Sequence, residues 1–186
     1  MHWHNLLAIA IAILSLSWAH GQEPAQREEI RSYTYKGVGF DSTIEQLKAT
    51  LPVEYDDSQS SPAEDRHIYK HVPFPPRDHP CLLAVYFDFR GESLHQILLT
   101  YSLPPGTKLG DWRKIASRLT DKYGKPSEKS EGRDVKAPRI ASYSWNFPDD
   151  KRFVHLSVAN TNYGNLFAQV GFLNTQNYDH QDREAH

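Results

Sequence analysis

The runs CLLAVYFDF (81–89) and LHQILLTYS (94–102) flank the short break Arg90-Gly91-Glu92-Ser93. Both runs are rich in apolar and aromatic residues, the composition of strands that bury much of their surface. A glycine-containing break between two such runs reads as a β-hairpin. Cys81, Leu83, Val85, Phe87 and Phe89 fall on one face of the first arm, and Ile97, Leu99 and Tyr101 on one face of the second. A hairpin with one apolar face is marginal alone and needs further strands or a helix to cover it. The rest of the chain has to supply that cover.

Two segments have helical spacing. In GFDSTIEQLKATLP, Ile44, Leu47 and Leu51 recur on one helical face, Ser42 with Glu45 reads as a capping box, and Pro52 ends the run. In GDWRKIASRLTDKYGKP, Trp112, Ile115, Ala116, Leu119 and Tyr123 form one stripe, and Gly124 followed by Pro126 marks the C-terminus. A polar loop follows each helix. After the first come RHIYKHV and the two hairpin arms; after the second come RIASYSWNF, RFVHLSVAN and NLFAQVGFL. The expected fold is therefore α+β: two tandem units, each a helix plus a three-stranded antiparallel sheet, with helices packed on one sheet face. The first unit is placed at 32–104 and the second at 105–175.

The ends carry other signals. Leu6 to Ala19 is an apolar run, shorter than the roughly 20 residues that span a bilayer. Ala19 and Gly21 are small residues ahead of Gln22, so residues 1–21 read as a cleaved signal peptide. Residues 22–31 form a flexible lead-in and 176–186 a flexible tail. The expected location is the periplasm or the cell exterior, with no stable membrane span after cleavage. Cys81 is the single cysteine, so no internal disulfide is available and packing alone has to stabilise the fold. Its place at the start of an apolar strand predicts burial.

Charge limits the partners. The net charge is −2 and both signs are mixed along the chain, without the basic stripe that nucleic acid requires. The passage Leu119–Pro126 (LTDKYGKP), followed by the aromatic strand Tyr143-Ser144-Trp145-Asn146-Phe147, resembles tandem α+β exported modules of the beta-lactamase inhibitory protein type and the small outer-membrane assembly lipoproteins of the BamE type. The resemblance implies a non-catalytic protein-binding module.

Chemistry is sparse. The phosphate-cradling glycine loop, the dinucleotide fingerprint, His-Glu-x-x-His and Gly-x-Ser-x-Gly do not occur. His67, His71, His79 and Cys81 crowd one segment, and the three histidines are the candidate metal ligands. On a strand, however, His67 and His71 would lie about 13 Å apart, too far to share one zinc. Tyr143, Trp145 and Phe147 alternate on one strand face and Tyr163 sits in a turn. These aromatics are either core or the anchors of a protein-binding face. Phe153 and Phe167 have the opposite parity to Val154, Leu156 and Val170, so both sheet faces carry large apolar groups. The leading expectation is an exported, cofactor-free, non-catalytic protein-binding or inhibitory module of the bacterial envelope, its partner another envelope or secreted protein. The alternatives are a carboxylate-based envelope hydrolase and a periplasmic metal binder using the His67–Cys81 segment.

Overall fold

The computed structural model describes residue 30 and residues 32–74, 81–103, 112–132, 139–160 and 166–175. Ten strands and two α-helices lie among them. In chain order these are β1 (Thr34–Tyr35), β2 (Val38–Gly39), α1 (Ile44–Thr50), β3 (Glu54–Tyr55), β4 (Arg66–His71), β5 (Leu82–Arg90), β6 (Ser93–Ser102), α2 (Trp112–Tyr123), β7 (Glu128–Glu131), β8 (Arg139–Phe147), β9 (Arg152–Asn160) and β10 (Leu166–Asn174). The expected signal peptide 1–21, nearly all of the expected lead-in 22–31, the expected tail 176–186, His79 and Tyr163 lie outside the described residues.

The expected pair of tandem helix-plus-three-strand units is not what forms. β3 to β10 make one eight-stranded antiparallel sheet in the order β3-β4-β5-β6-β10-β9-β8-β7, with β1-β2 as a separate hairpin. The molecule is mostly β. Two features overturn the expectation. β10 pairs with β6 from Phe167↔Ser102 to Leu173↔Gln96, which fuses the strands on either side of the expected boundary. The two polar loops after the helices each add an outer strand, β3 and β7. A charged tetrapeptide such as Glu128-Lys129-Ser130-Glu131 has no apolar alternation to announce it. Charged and very short strands are how sheet edges discourage further pairing.

Smaller corrections are also local. SYTYKGVGF forms a hairpin, because Lys36 (φ 50°) and Gly37 (φ 86°) make a two-residue left-handed turn. The cap of α1 is Thr43 with Gln46, not Ser42 with Glu45: each residue's side chain accepts from the other's backbone N–H. The Ser42 hydroxyl is already engaged by the Gly39 N–H at 3.0 Å. In β5 the register shifts between Leu82 and Ala84, so Leu82 turns inward while Leu83 is 38% exposed and Cys81 is only half-buried. A second irregularity lets Leu94 pair with Phe89 and reach the core, as Ile97 does opposite Phe87.

Among the described residues, both helices and the β1-β2 hairpin cover one sheet face. α1 buries Leu47, and α2 buries Trp112, Ala116 and Tyr123. The Trp112 ring meets Tyr143, the Tyr123 ring meets Phe147 and Phe172, and Lys48 lies over Tyr69. The β1-β2 hairpin adds Tyr35 against Phe87 and His71, and the preceding Tyr33 stacks on Phe172. Every sheet residue in these contacts has the same inward parity. Among the described residues no helix is long and apolar enough to cross a membrane.

The corner where α2 starts holds an ionic cluster. The Glu131 carboxylate accepts from Lys129 Nζ at 2.8 Å, from Arg113 Nη2 at 3.1 Å and from the Tyr143 hydroxyl. The Lys129 hydrogen bond first, then that of Tyr143, holds the Glu131 carboxyl down at about 2, against an ordinary 4.5. A carboxylate with a depressed folded pKa contributes stability that is complete above its unfolded value and is lost as pH falls through the folded one. Stability should therefore decline as pH drops from about 4.5 toward about 2. Glu131→Gln should flatten that acid limb in thermal melts recorded across the window.

Candidate functional site

Among the described residues, the centre of the opposite sheet face is lined by strand residues. It forms a trough of about 470 Å³ running across β6, β10, β9, β8 and β7. Strand pairing builds it in rows. One row reads Lys70, Tyr86, Leu98, Gly171, His155, Ser144 and Glu128 from β4 to β7. The next reads Ala84, Thr100, Gln169, Ser157, Ser142 and Ser130.

Gly171 sets the depth. It lies in central strand β10, and a Cβ there would come within 3.1 Å of Gln96 Nε2 and 3.5 Å of Leu98 Cδ1. A strand-interior glycine marks a place where something approaches the backbone closely. Beside it the His155 and Phe153 rings stack at 10° with centroids 6.0 Å apart, and Ser144 Oγ is 3.2 Å from His155 Nδ1. Gln169 reaches Thr100 Oγ1 at 3.4 Å. Leu98, Phe153, Phe167 and Leu173 stay half-buried.

The charge pattern of this face is uneven. In the three rows from Gln96 to Thr100 the residues that β6, β10, β9 and β8 contribute are amides, hydroxyls, apolar groups and His155, without Asp, Glu, Lys or Arg; in the row beyond, Arg139 of β8 pairs with Ala159. Formal charges stand at the margins. Glu128 is on β7; Lys70, Arg66 and Arg90 are on β4 and β5. Arg66 and Arg90 are directly paired across the strands, a repulsive arrangement. Asp88 relieves it, accepting from Arg66 Nε and Nη2 at 3.0 and 2.7 Å and lying 3.9 Å from Arg90 Nε. His95 packs near this cluster, and burial lowers its pKa from the ordinary imidazole value.

The residues singled out from sequence go elsewhere. Tyr143, Trp145 and Phe147 are 4%, 0% and 3% exposed and form the floor under α2. Trp145 Nε1–H donates to the Gly124 carbonyl at 2.8 Å, fastening the helix end to the sheet. His67 lies 3.3 Å from both the Tyr55 hydroxyl and the Asp65 carboxylate. His71 is buried and its Nδ1 donates to the Pro52 carbonyl at 2.8 Å. Both are strand residues with separate neighbours, and no group of three or more His, Cys, Asp or Glu among the described residues is placed to hold a metal ion.

Ser144 and His155 are the one serine–histidine contact in the trough. Ser144 sits in mid-strand between β7 and β9, so the surrounding amides are committed to sheet ladders rather than gathered into an oxyanion hole. The pair reads as a polar floor. Because β6 and β10 join the two halves, the described residues form no cleft between them. Sequence reasoning missed Gly171, His155 and Gln96. The signal available was a glycine inside NLFAQVGFL at the same parity as Phe167.

Comparison of this chain with protein-family models, with curated proteins and with solved structures finds no match.

Proposed function

We propose that this protein is an exported, non-catalytic binding module that holds another envelope or secreted protein against the open face of its sheet. The observation that carries it is the charge map of that face. Interfaces have a charge-depleted centre with aromatic and amide groups, ringed by a charged, solvated rim. Here Leu98, Gly171, His155 and Phe153 lie in the uncharged centre, and Arg66, Lys70, Arg90 and Glu128 form the rim. Among the described residues α1, α2 and the β1-β2 hairpin pack on the other face, which leaves the trough open to a partner. Adaptable hydroxyl and amide side chains around a few rings are also the chemistry by which paratopes engage protein surfaces.

The test is quantitative capture from envelope extract of the source cells, comparing the protein with its Gly171→Arg variant. A Cβ at Gly171 meets mainly the flexible Gln96 amide, so the substitution adds bulk and charge to the trough without straining the backbone. A protein retained by the parent and lost from the variant, with equal far-UV circular dichroism, supports the proposal. Equal retention by both rules out the open face as the binding surface.

A further inference from the structure

The β5–β6 hairpin carries a bulge near its closed end. Asp88 pairs with Gln96 and Phe89 with Leu94, so His95 is an inserted residue with none opposite it on β5. Such a residue interrupts the ladder and re-aims the side chains around it. His95 is nonetheless only 4% exposed. It stands between Leu94, which is fully buried, and Gln96, which lines the trough.

An imidazole in this place is held in its neutral form. Burial keeps water from the cation. Among the described residues three charged groups face the ring, and two of them are themselves cations: Arg90 on β5 and Arg66 on β4. Asp88 on β5 pulls the other way, but its carboxylate already accepts from Arg66 Nε and Nη2 at 3.0 and 2.7 Å. Desolvation is the largest influence, and the His95 pKa falls below the ordinary imidazole value of 6.5. The folded chain therefore favours the neutral ring. The stability this gives is complete above the unfolded value of 6.5 and is lost as pH falls below it toward the folded value.

The corner around His95 is where that loss is felt first. The bulge has already broken the ladder there, and a break in the ladder is where local opening costs least. The turn beyond it runs through Gly91, which has φ 57° and whose N–H donates to the Asp65 carbonyl at 2.8 Å. On the other side of His95, Gln96 reaches the centre of the sheet: its Nε2 lies 3.1 Å from where a Cβ on Gly171 would stand. A shift at the bulge is thus passed by the adjacent residue to the floor of the trough.

We infer that His95 is an acid-sensitive latch: proton uptake by its ring below neutral pH opens the β5–β6 corner and moves the Gln96 margin of the trough. The latch is a property of the free chain and stands whether or not the open face holds a partner.

Hydrogen exchange of the full-length chain, purified as the cell processes it, tests this at about pH 7.5 and about pH 5, the interval over which an imidazole takes up its proton. Protection factors divide out the intrinsic pH dependence of exchange. Protection over residues 89–96 should fall several-fold at the lower pH, while that of α2 stays level. His95→Gln should abolish the fall, with far-UV circular dichroism unchanged. Arg90→Gln removes one facing cation from a side chain that is a third exposed, at 32%, and should make the fall smaller. If His95→Gln does not fold, the Arg90→Gln comparison decides alone. No fall in the parent, a fall spread evenly over the whole chain, or a fall of equal size in the parent and the folded variants would overturn the inference.

Discussion

Trp145→Ala is expected to cost about 3–5 kcal/mol, the largest single effect in this molecule. Trp145 is 0% exposed and lies on the inner sheet face with Tyr143 stacked beside it at 15°. Its removal leaves a cavity between β8 and α2 and takes away the donor to the Gly124 carbonyl. Gly124 itself has φ 77°, the left-handed turn that ends α2, so the indole ties down the exit of the helix. Urea denaturation followed by tryptophan-independent circular dichroism reads the loss. Trp145→Phe separates the two contributions: it keeps most of the volume, loses the hydrogen bond, and should cost about 1–2 kcal/mol. Equal stability of Trp145→Ala and the parent would move this residue out of the core and back among candidate binding anchors.

Asp88→Ala is expected to cost about 2 kcal/mol, the usual worth of hydrogen bonds to a charged group. The Asp88 carboxylate is buried under Arg66, which donates to it twice, and it stands between two arginines paired across β4 and β5. Without it Arg66 and Arg90 face each other as like charges. Both guanidinium groups are about a third exposed, at 32%, so solvent relieves part of that repulsion and added salt should recover part of the loss. Denaturation midpoints for Asp88→Ala at low and high ionic strength check both statements. A salt-independent loss would show that packing around Asp88, rather than charge, carries the effect.

The contrast between these residues shows what was legible in the sequence. The stripe Trp112, Ala116 and Tyr123 was readable because helical spacing and the Gly124-Lys125-Pro126 stop agree, and the helix forms there. The arms 81–89 and 94–102 were readable as a hairpin because two strand-like apolar runs flank a glycine-containing turn. The one-sheet topology was not. Nothing in NLFAQVGFL says that β10 will cross to pair with β6 rather than end its own three-stranded unit. That choice is made by non-local pairing, which local periodicity does not encode. The bulge at Leu83 flips the parity of Cys81 and Leu82, and a period-two count cannot see an inserted residue.

The candidate site was still less visible. Tyr143, Trp145 and Phe147 attracted notice because large aromatics are conspicuous, yet bulk is what a core uses first. The open face instead uses Ser142, Ser144, Ser157, Gln96 and Gln169, residue types that look like solvated strand positions one at a time. They become a surface only when β6, β10, β9 and β8 bring them into rows, and the absence of formal charge among them shows only in that arrangement. Phe153 and Phe167, at the parity opposite to Val154 and Val170, were the one trace of it in the sequence, and both are half-buried on that face.

Site-specific photo-crosslinking in the living source cells tests the central claim most directly. A benzophenone side chain is placed at Gln169, exposed on the open face, and separately at Ser117, exposed on α2. The open-face account predicts covalent adducts to a second, different protein from position 169 and none from position 117. Adducts confined to position 117, or only self-adducts at position 169, would contradict it.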